Sequence, residues 1–431
     1  MSLITNHSRR LAIRGGSPLI KEIFRKYNPI GQSEIEAVGE VMRSGVLSKF
    51  IGAWSPDFFG GPKVQHFERD CEKFFNVSHA ITVNSWTSGL IAAVGSLDIE
   101  PGDEIITTPW TMCATATAIL HWNAIPVFAD IDSTTFGLNP KSVEENITPY
   151  TKAILSVDIF GQSADVDALQ RIATKHGLKI ISDTAQAPGS LRNGMYSGTI
   201  TDIGGYSLNY HKHIHTGEGG ILVTNDDNLA NRMRLIRNHA EAVVGSKGEV
   251  DISNMLGHNF RLGEIEASIG IEQLKKLSDL VLTRAKAADF LTKQLSDLPG
   301  VLLPQILPGN THVYYVYPII LDIQKIGVSR NMIVEALKAE GLEGVFGGYA
   351  NVHRLPLYQK KIAYGSKGFP WVEGVCHRNI DYDVGICPIA EKLHDETFLG
   401  IEMCLFDWTE NEIVLAADAF RKVWSNLDEL H

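Results

Sequence analysis

Between residues 63 and 225 the chain switches repeatedly between two periodicities, and this alternation restricts its fold more than any other feature. Short apolar runs stand at 80–83 (AITV), 104–108 (EIITT), 125–130 (IPVFAD), 152–158 (KAILSVD), 179–183 (KIISD) and 220–224 (GILVT). Between them, 64–75, 87–97, 113–122 and 165–177 read as helices, the last preceded by Asp165 as an N-cap. Strands that are apolar along their whole length are buried on both faces, and the intervening helices supply the cover. The pattern predicts an α/β fold with a mainly parallel sheet between helical layers.

After residue 260 the texture changes. Residues 263–296 read as one long helix bridging two parts of the chain. An apolar run at 314–322, an amphipathic helix at 329–340 and a terminal helix at 409–429 suffice for a smaller α+β domain. Stretch 341–385, rich in Gly, aromatics and His, has no readable period. The expected organisation is an N-terminal segment 1–26, a large domain 27–270 and a small C-terminal domain 271–431.

Charge and cysteine usage narrow the function. With 39 Lys and Arg against 50 Asp and Glu, the formal charge is −11 and no basic cluster stands out, so no nucleic-acid partner is expected. No window of 18 apolar residues occurs, so no membrane span is expected. The five cysteines (Cys71, Cys113, Cys376, Cys387, Cys404) form no C-x-x-C pair and read as reduced thiols. The amino terminus shows no apolar signal core, and a cytoplasmic location is expected.

The densest chemical signal is SLNYHKHIHTGEGG, Ser207 to Gly220. His211, His213 and His215 alternate and would share one face of a strand, but no Asp or Cys accompanies them at metal-ligand spacing, so no metal is expected. The GEGG turn lacks the spacing of a P-loop. Lys212 remains, as an amine held near a Gly-rich turn. Asp183 ends a buried strand, where an acid faces the ligand crevice of a parallel sheet, and Gln186 follows three residues later. NSWTSGL (84–90) leads a strand into a helix, placing Thr87 and Ser88 in a first turn whose free N–H groups suit a phosphate. A lysine, a buried acid and a phosphate cup on one sheet together suit pyridoxal 5'-phosphate, whose Schiff-base lysine needs an acidic partner for the pyridinium nitrogen.

Six landmarks, in order, carry a resemblance: PGDEIITTPWT (101–111), IPVFADID (125–132), FGQSADVDAL (160–169), ISDTAQAPGS (181–190), YSLNYHKHIHTGEGG (206–220) and LGHNFRLGEIEASIGIEQLKKL (256–277). From about residue 27 to its end the chain resembles the DegT/DnrJ/StrS family, pyridoxal-phosphate-dependent sugar aminotransferases of fold type I. The resemblance implies that Lys212 is the Schiff-base lysine and Asp183 the partner of the pyridine nitrogen. It places Gln186 near the ring hydroxyl and Thr87, Ser88 and Ser207 on the phosphate. Asn259, in G-x-N-x-R, would reach that phosphate from a second subunit, which implies a homodimer with shared sites.

Two positions depart from the family pattern. Where an aromatic ring usually lies against the cofactor the chain has Met112, so either Met112 covers the ring or Trp110 takes over. The usual S-G-T turn reads Ser85-Trp86-Thr87, and Trp86 is expected to pack against its helix. His353, Arg354 and Tyr358 could face the acceptor or simply pack, and Arg261 is expected to tie the interface loop. The expected activity moves an amino group, with glutamate as donor, onto a keto-sugar, ketose or cyclitol ketone. A dehydratase, in which His replaces the lysine, and a non-catalytic regulator are the alternatives.

Overall fold

The computed structural model describes residues 10–431. The apolar runs become β1 (His79–Val83), β2 (Glu104–Thr107), β3 (Ile125–Phe128), β4 (Thr151–Val157) and β5 (Lys179–Asp183). A small hairpin, β6 (Leu191–Arg192) and β7 (Met195–Tyr196), precedes β8 (Ile203–Ser207) and β9 (Gly220–Thr224). Seven of these form one sheet in the order β1-β9-β8-β5-β4-β2-β3. Pairing is parallel from β3 through β8, while β9 runs against both β8 and β1. An apolar run carries no direction, so β9 reads the same from sequence either way. Because only β9 is reversed, β1, β2, β4, β5 and β8 all end on one edge of the sheet, where ligands bind in such folds.

Helices Pro62–Phe75, Trp86–Ser96, Ala114–His121 and Val166–His176 stand where the periodicity puts them. Asp165 caps the last, its carboxylate accepting from Ala168 N at 3.3 Å. The bridging helix Glu264–Leu295 packs on Gln32–Ser44 and Pro62–Phe75 and, further along, on the terminal helix Glu410–Trp424. No helix among the described residues is long and apolar enough to cross a membrane.

The smaller unit holds an antiparallel sheet of β10 (Val301–Leu302), β11 (Val316–Leu321), β12 (Val345–Gly347) and β13 (Phe398–Glu402), ordered β10-β11-β13-β12. Its core joins Ile319, Leu337, Leu399 and Phe420 to Leu11, Ile20 and Phe24. The described part of the N-terminal segment therefore belongs to this core, at the opposite end of the sequence. Glu340 fixes it there, accepting from Ala12 N at 2.8 Å and Leu19 N at 3.0 Å.

The unread stretch makes an excursion back to the large sheet. Residues 355–387 cover edge strand β3: Tyr382 donates to Pro126 O at 2.7 Å and Tyr364 to Leu120 O at 2.7 Å, while Arg378 pairs with Glu104 at 2.9 Å. An open edge strand invites pairing with other chains, and this cover removes it.

Candidate active site

Asp183 lies at the carboxyl end of β5, buried, with three donors on its carboxylate. Trp86 Nε1 reaches Oδ1 at 2.7 Å, Ala185 N reaches Oδ1 at 3.2 Å and Thr115 Oγ1 reaches Oδ2 at 2.8 Å. Burial pushes its pKa up, while these donors and the charge of Lys212 pull it down. Asp158, just past β4, is the neighbouring buried acid, and burial raises it to about 6. Gln186 is pinned on both sides of its amide: Oε1 accepts from Phe160 N and Nε2 donates to Tyr349 OH, each at 2.9 Å.

Lys212 sits in the turn joining β8 to β9 and is only 8% exposed. The turn is closed by Leu208 N to Gly219 O at 2.9 Å and by Thr216 N to Leu208 O at 3.0 Å. His213 ties it to the small unit through Val313 O at 2.9 Å, and Tyr27 donates to the carbonyl of His213 at 2.5 Å. With its backbone so held, the Lys212 side chain lies with Nζ 4.2 Å from the centre of the Tyr315 ring. Burial lowers its pKa to about 8, against the opposing pull of Asp183 and Cys404. An amine near 8 is partly neutral at physiological pH, as a base or nucleophile must be.

The turn after β1 forms the cup. Ser85 caps helix Trp86–Ser96, accepting from Ser88 N at 3.1 Å. Ser88 Oγ donates to Asn84 Oδ1 at 2.7 Å. Among the described residues the amides of Trp86 and Thr87 have no acceptor, as expected for a first helical turn. Half-buried Thr87 stands beside them. Ser207, at the end of β8, accepts from Asn209 N at 3.3 Å and keeps its own O–H to donate. Asn259 is exposed, its Oδ1 held by Arg261 Nε at 2.7 Å, and its carbonyl accepts from Asn84 Nδ2 at 3.3 Å. Remote in sequence, the Asn259 loop thus lies beside the Asn84 turn within one chain. Separation along the chain is therefore no argument that Asn259 acts across subunits.

Several expectations need correcting. Trp86 does pack against its helix, but its indole N–H also grips Asp183. Trp110 is fully buried among Phe136, Phe160, Tyr349 and Phe398, so it belongs to the core, whereas Met112 is 59% exposed. His211, His213 and His215 share no strand face, because 208–219 is a turn: His211 is exposed and His213 wholly buried. No group of three or more potential metal ligands occurs among the described residues. His353 and Arg354 are held by Glu391 at 3.0 Å each, and Arg354 also by Asp395, while Tyr358 packs with Phe128 and Tyr382. All three are thus engaged in contacts within the protein, as the packing alternative expects. Tyr315 and Tyr349, missed in the sequence, come from the small unit.

This arrangement of lysine, acid and helix terminus on a mainly parallel sheet defines a pyridoxal-phosphate enzyme of fold type I. The sequence profile of the DegT/DnrJ/EryC1/StrS aminotransferase family matches residues 30–398, and the chain belongs to that family. It is a pyridoxal-phosphate-dependent aminotransferase. The spore coat polysaccharide biosynthesis protein SpsC of Bacillus subtilis is 36% identical over 350 residues, 79% of this chain and 86% of that protein. The L-glutamine:2-deoxy-scyllo-inosose aminotransferase of Streptoalloteichus tenebrarius is 32% identical over 419 residues, 92% of this chain and 95% of that one. Among solved structures, S. venezuelae DesV in complex with a ketimine intermediate is similar at a TM-score of 0.76 and 27% identity, covering 91% of this chain and 94% of that one.

Proposed function

We propose that Lys212 is the amine that takes the cofactor, and that the enzyme transfers an amino group from L-glutamate or L-glutamine to the ketone of a cyclitol. The observation that carries this reading is the buried amine of Lys212, its pKa lowered to about 8 by burial, on the same sheet edge as Asp183. The donor set fits the cofactor: an acid for the ring nitrogen, free amides at a helix terminus for the phosphate, and an amine for the aldehyde. When bound, pyridoxal phosphate supplies an electron sink for the substrate's amine-bearing carbon.

The protein's part follows from its own residues. Asp183, as an anion, would hold the ring nitrogen in its protonated form. Trp86 N and Thr87 N, with Ser207 and with Ser88 once its hydroxyl turns from Asn84, would bind the phosphate dianion, aided by the helix dipole. Gln186 would bear on the ring hydroxyl side. Lys212 Nζ, once neutral, would take a proton from the donor's α-carbon in one half-reaction and, in the other, would deliver a proton to the acceptor carbon. Met112, exposed at the turn after Pro109, would lie on the ring face. The Tyr315 ring against Nζ limits water there. A lysine in this place, rather than His, speaks against the dehydratase alternative.

Similarity to the scyllo-inosose enzyme over nearly the full length of both chains supports a cyclitol acceptor. Arg261 donates to Phe50 O at 3.5 Å, so the Asn259 loop borders the stretch that carries exposed Leu47 and Ile51, which supports a homodimer with Asn259 reaching the neighbouring site. All five cysteines are free thiols, which supports a cytoplasmic setting.

The test follows the near-visible band of the loaded enzyme. L-Glutamate or L-glutamine should bleach it, and scyllo-inosose should restore it with release of the amino-cyclitol. Restoration only by nucleotide-linked keto-sugars would overturn the cyclitol assignment.

A further inference from the structure

The hydrogen bond from Trp86 to Asp183 depends on a residue that stands where a glycine would make no such contact. We propose that Trp86 is a positioning residue for Asp183, its indole N–H holding the carboxylate ionised and correctly turned toward the cofactor's ring nitrogen. The inference rests on the reading of Lys212 and Asp183 as the cofactor-holding pair.

The slot for the indole is built into the sheet. A Cβ on Gly205, in β8, would stand 2.2 Å from the Trp86 ring, and one on Gly89, a turn along the helix, 2.7 Å. Neither position admits a side chain while the ring is there. The ring is thereby wedged between its helix and β8, and its N–H meets Oδ1 of Asp183 at 2.7 Å. Ala185 N also donates to Oδ1, so that oxygen is filled. Oδ2 receives Thr115 Oγ1, itself 2.7 Å from Thr111 Oγ1, and keeps one lone pair for an incoming N–H. The carboxylate is thus held by neutral donors that do not titrate, in a plane they fix.

Other groups facing Asp183 are few. Lys212, from the β8–β9 turn, favours the anion; Asp158, beyond β4, opposes it; Tyr349, from the small unit, has its phenol held by Gln186. Removing the indole N–H takes a donor from the charged form and raises the Asp183 pKa. A hydrogen bond to a charged group is worth about tenfold or more, which is about one pH unit.

The test measures the pH at which cofactor leaves the loaded protein, by equilibrium dialysis read at the near-visible band. Lys212 and the phosphate also titrate, but equally in every variant, so the difference from wild type isolates Asp183. Trp86→Phe should move the release midpoint upward by about one pH unit or more. Replacing Trp86 by 3-benzothienylalanine keeps the shape, exchanges N–H for sulfur and should do the same. Thr115→Ser, which keeps its donor, should leave the midpoint in place. A packing role alone would lower the melting temperature of Trp86→Phe and leave both midpoints unmoved, and that result overturns the inference. A wild-type chain that takes no cofactor on Lys212 overturns the parent reading and this one with it; an unmoved midpoint in loaded protein overturns this one alone.

Discussion

Replacing Lys212 with Met should make the cofactor-free protein more stable at pH 7. Burial lowers the Lys212 pKa from its ordinary 10.5 to about 8, so at neutral pH the folded chain carries a charge it would rather lose. At about 1.4 kcal/mol per pH decade, that penalty is about 3 kcal/mol. Met has a similar length and no charge to desolvate. Losing the ammonium's contact with the Tyr315 ring returns about 1 kcal/mol, leaving a net gain of about 2 kcal/mol. The sign with pH follows from proton counts. Below about 8 the lysine is protonated folded or unfolded, and the whole penalty is present. Between about 8 and 10.5 the unfolded chain binds the extra proton, so wild-type stability rises with pH relative to the variant. Urea titrations of both apoproteins at pH 7 and pH 10 measure this, since groups other than Lys212 cancel in the difference. Equal stability at pH 7, or a gain that persists undiminished at pH 10, would refute a desolvated lysine.

Glu391→Ala should destabilise the fold by about 3 kcal/mol or more in urea, because His353, Arg354 and the amide of Gly385 lose a buried acceptor. Trp110→Ala should cost about 3–5 kcal/mol, as expected for a fully buried aromatic. Met112→Ala should change stability by less than about 0.5 kcal/mol yet weaken cofactor retention, measured by dialysis. Mixing inactive Lys212→Ala chains with inactive Asn259→Asp chains should restore about one quarter of wild-type activity through a two-fold dimer with shared sites. No recovery, with subunit exchange confirmed, would place Asn259 in its own chain's site.

What the sequence revealed and what it hid divide along the range of the forces involved. Strands β1 to β5 and the helix capped by Asp165 are legible because continuous apolar runs and local capping write themselves into a few consecutive residues. Asp183 is legible as a site because a strand end has a fixed place in a parallel sheet. Helices Gln32–Ser44, Asp227–Arg237 and Ala240–Lys247 went unread. The grip of Trp86 on Asp183 spans 97 residues, and no local pattern announces it. Tyr315 and Tyr349 face the site only because the small unit docks there. The same holds for Leu11 and Phe24, whose partners lie near the other end of the chain. Alternating histidines suggested one strand face, but glycines at 217 and 219, with φ of +86° and +153°, make the segment a turn. The excursion 355–387 lacked a period because it is held by single contacts, such as Tyr382 to Pro126, rather than by a repeating face.

The proposed function depends on Lys212 being the amine that carries the cofactor. Borohydride reduction of the loaded enzyme, followed by proteolysis and mass spectrometry, tests it most directly. The near-visible band should bleach and the reduced pyridoxyl mass should appear on the peptide containing Lys212, with none in Lys212→Ala. The same mass on another lysine, or full bleaching and labelling in Lys212→Ala, would contradict it.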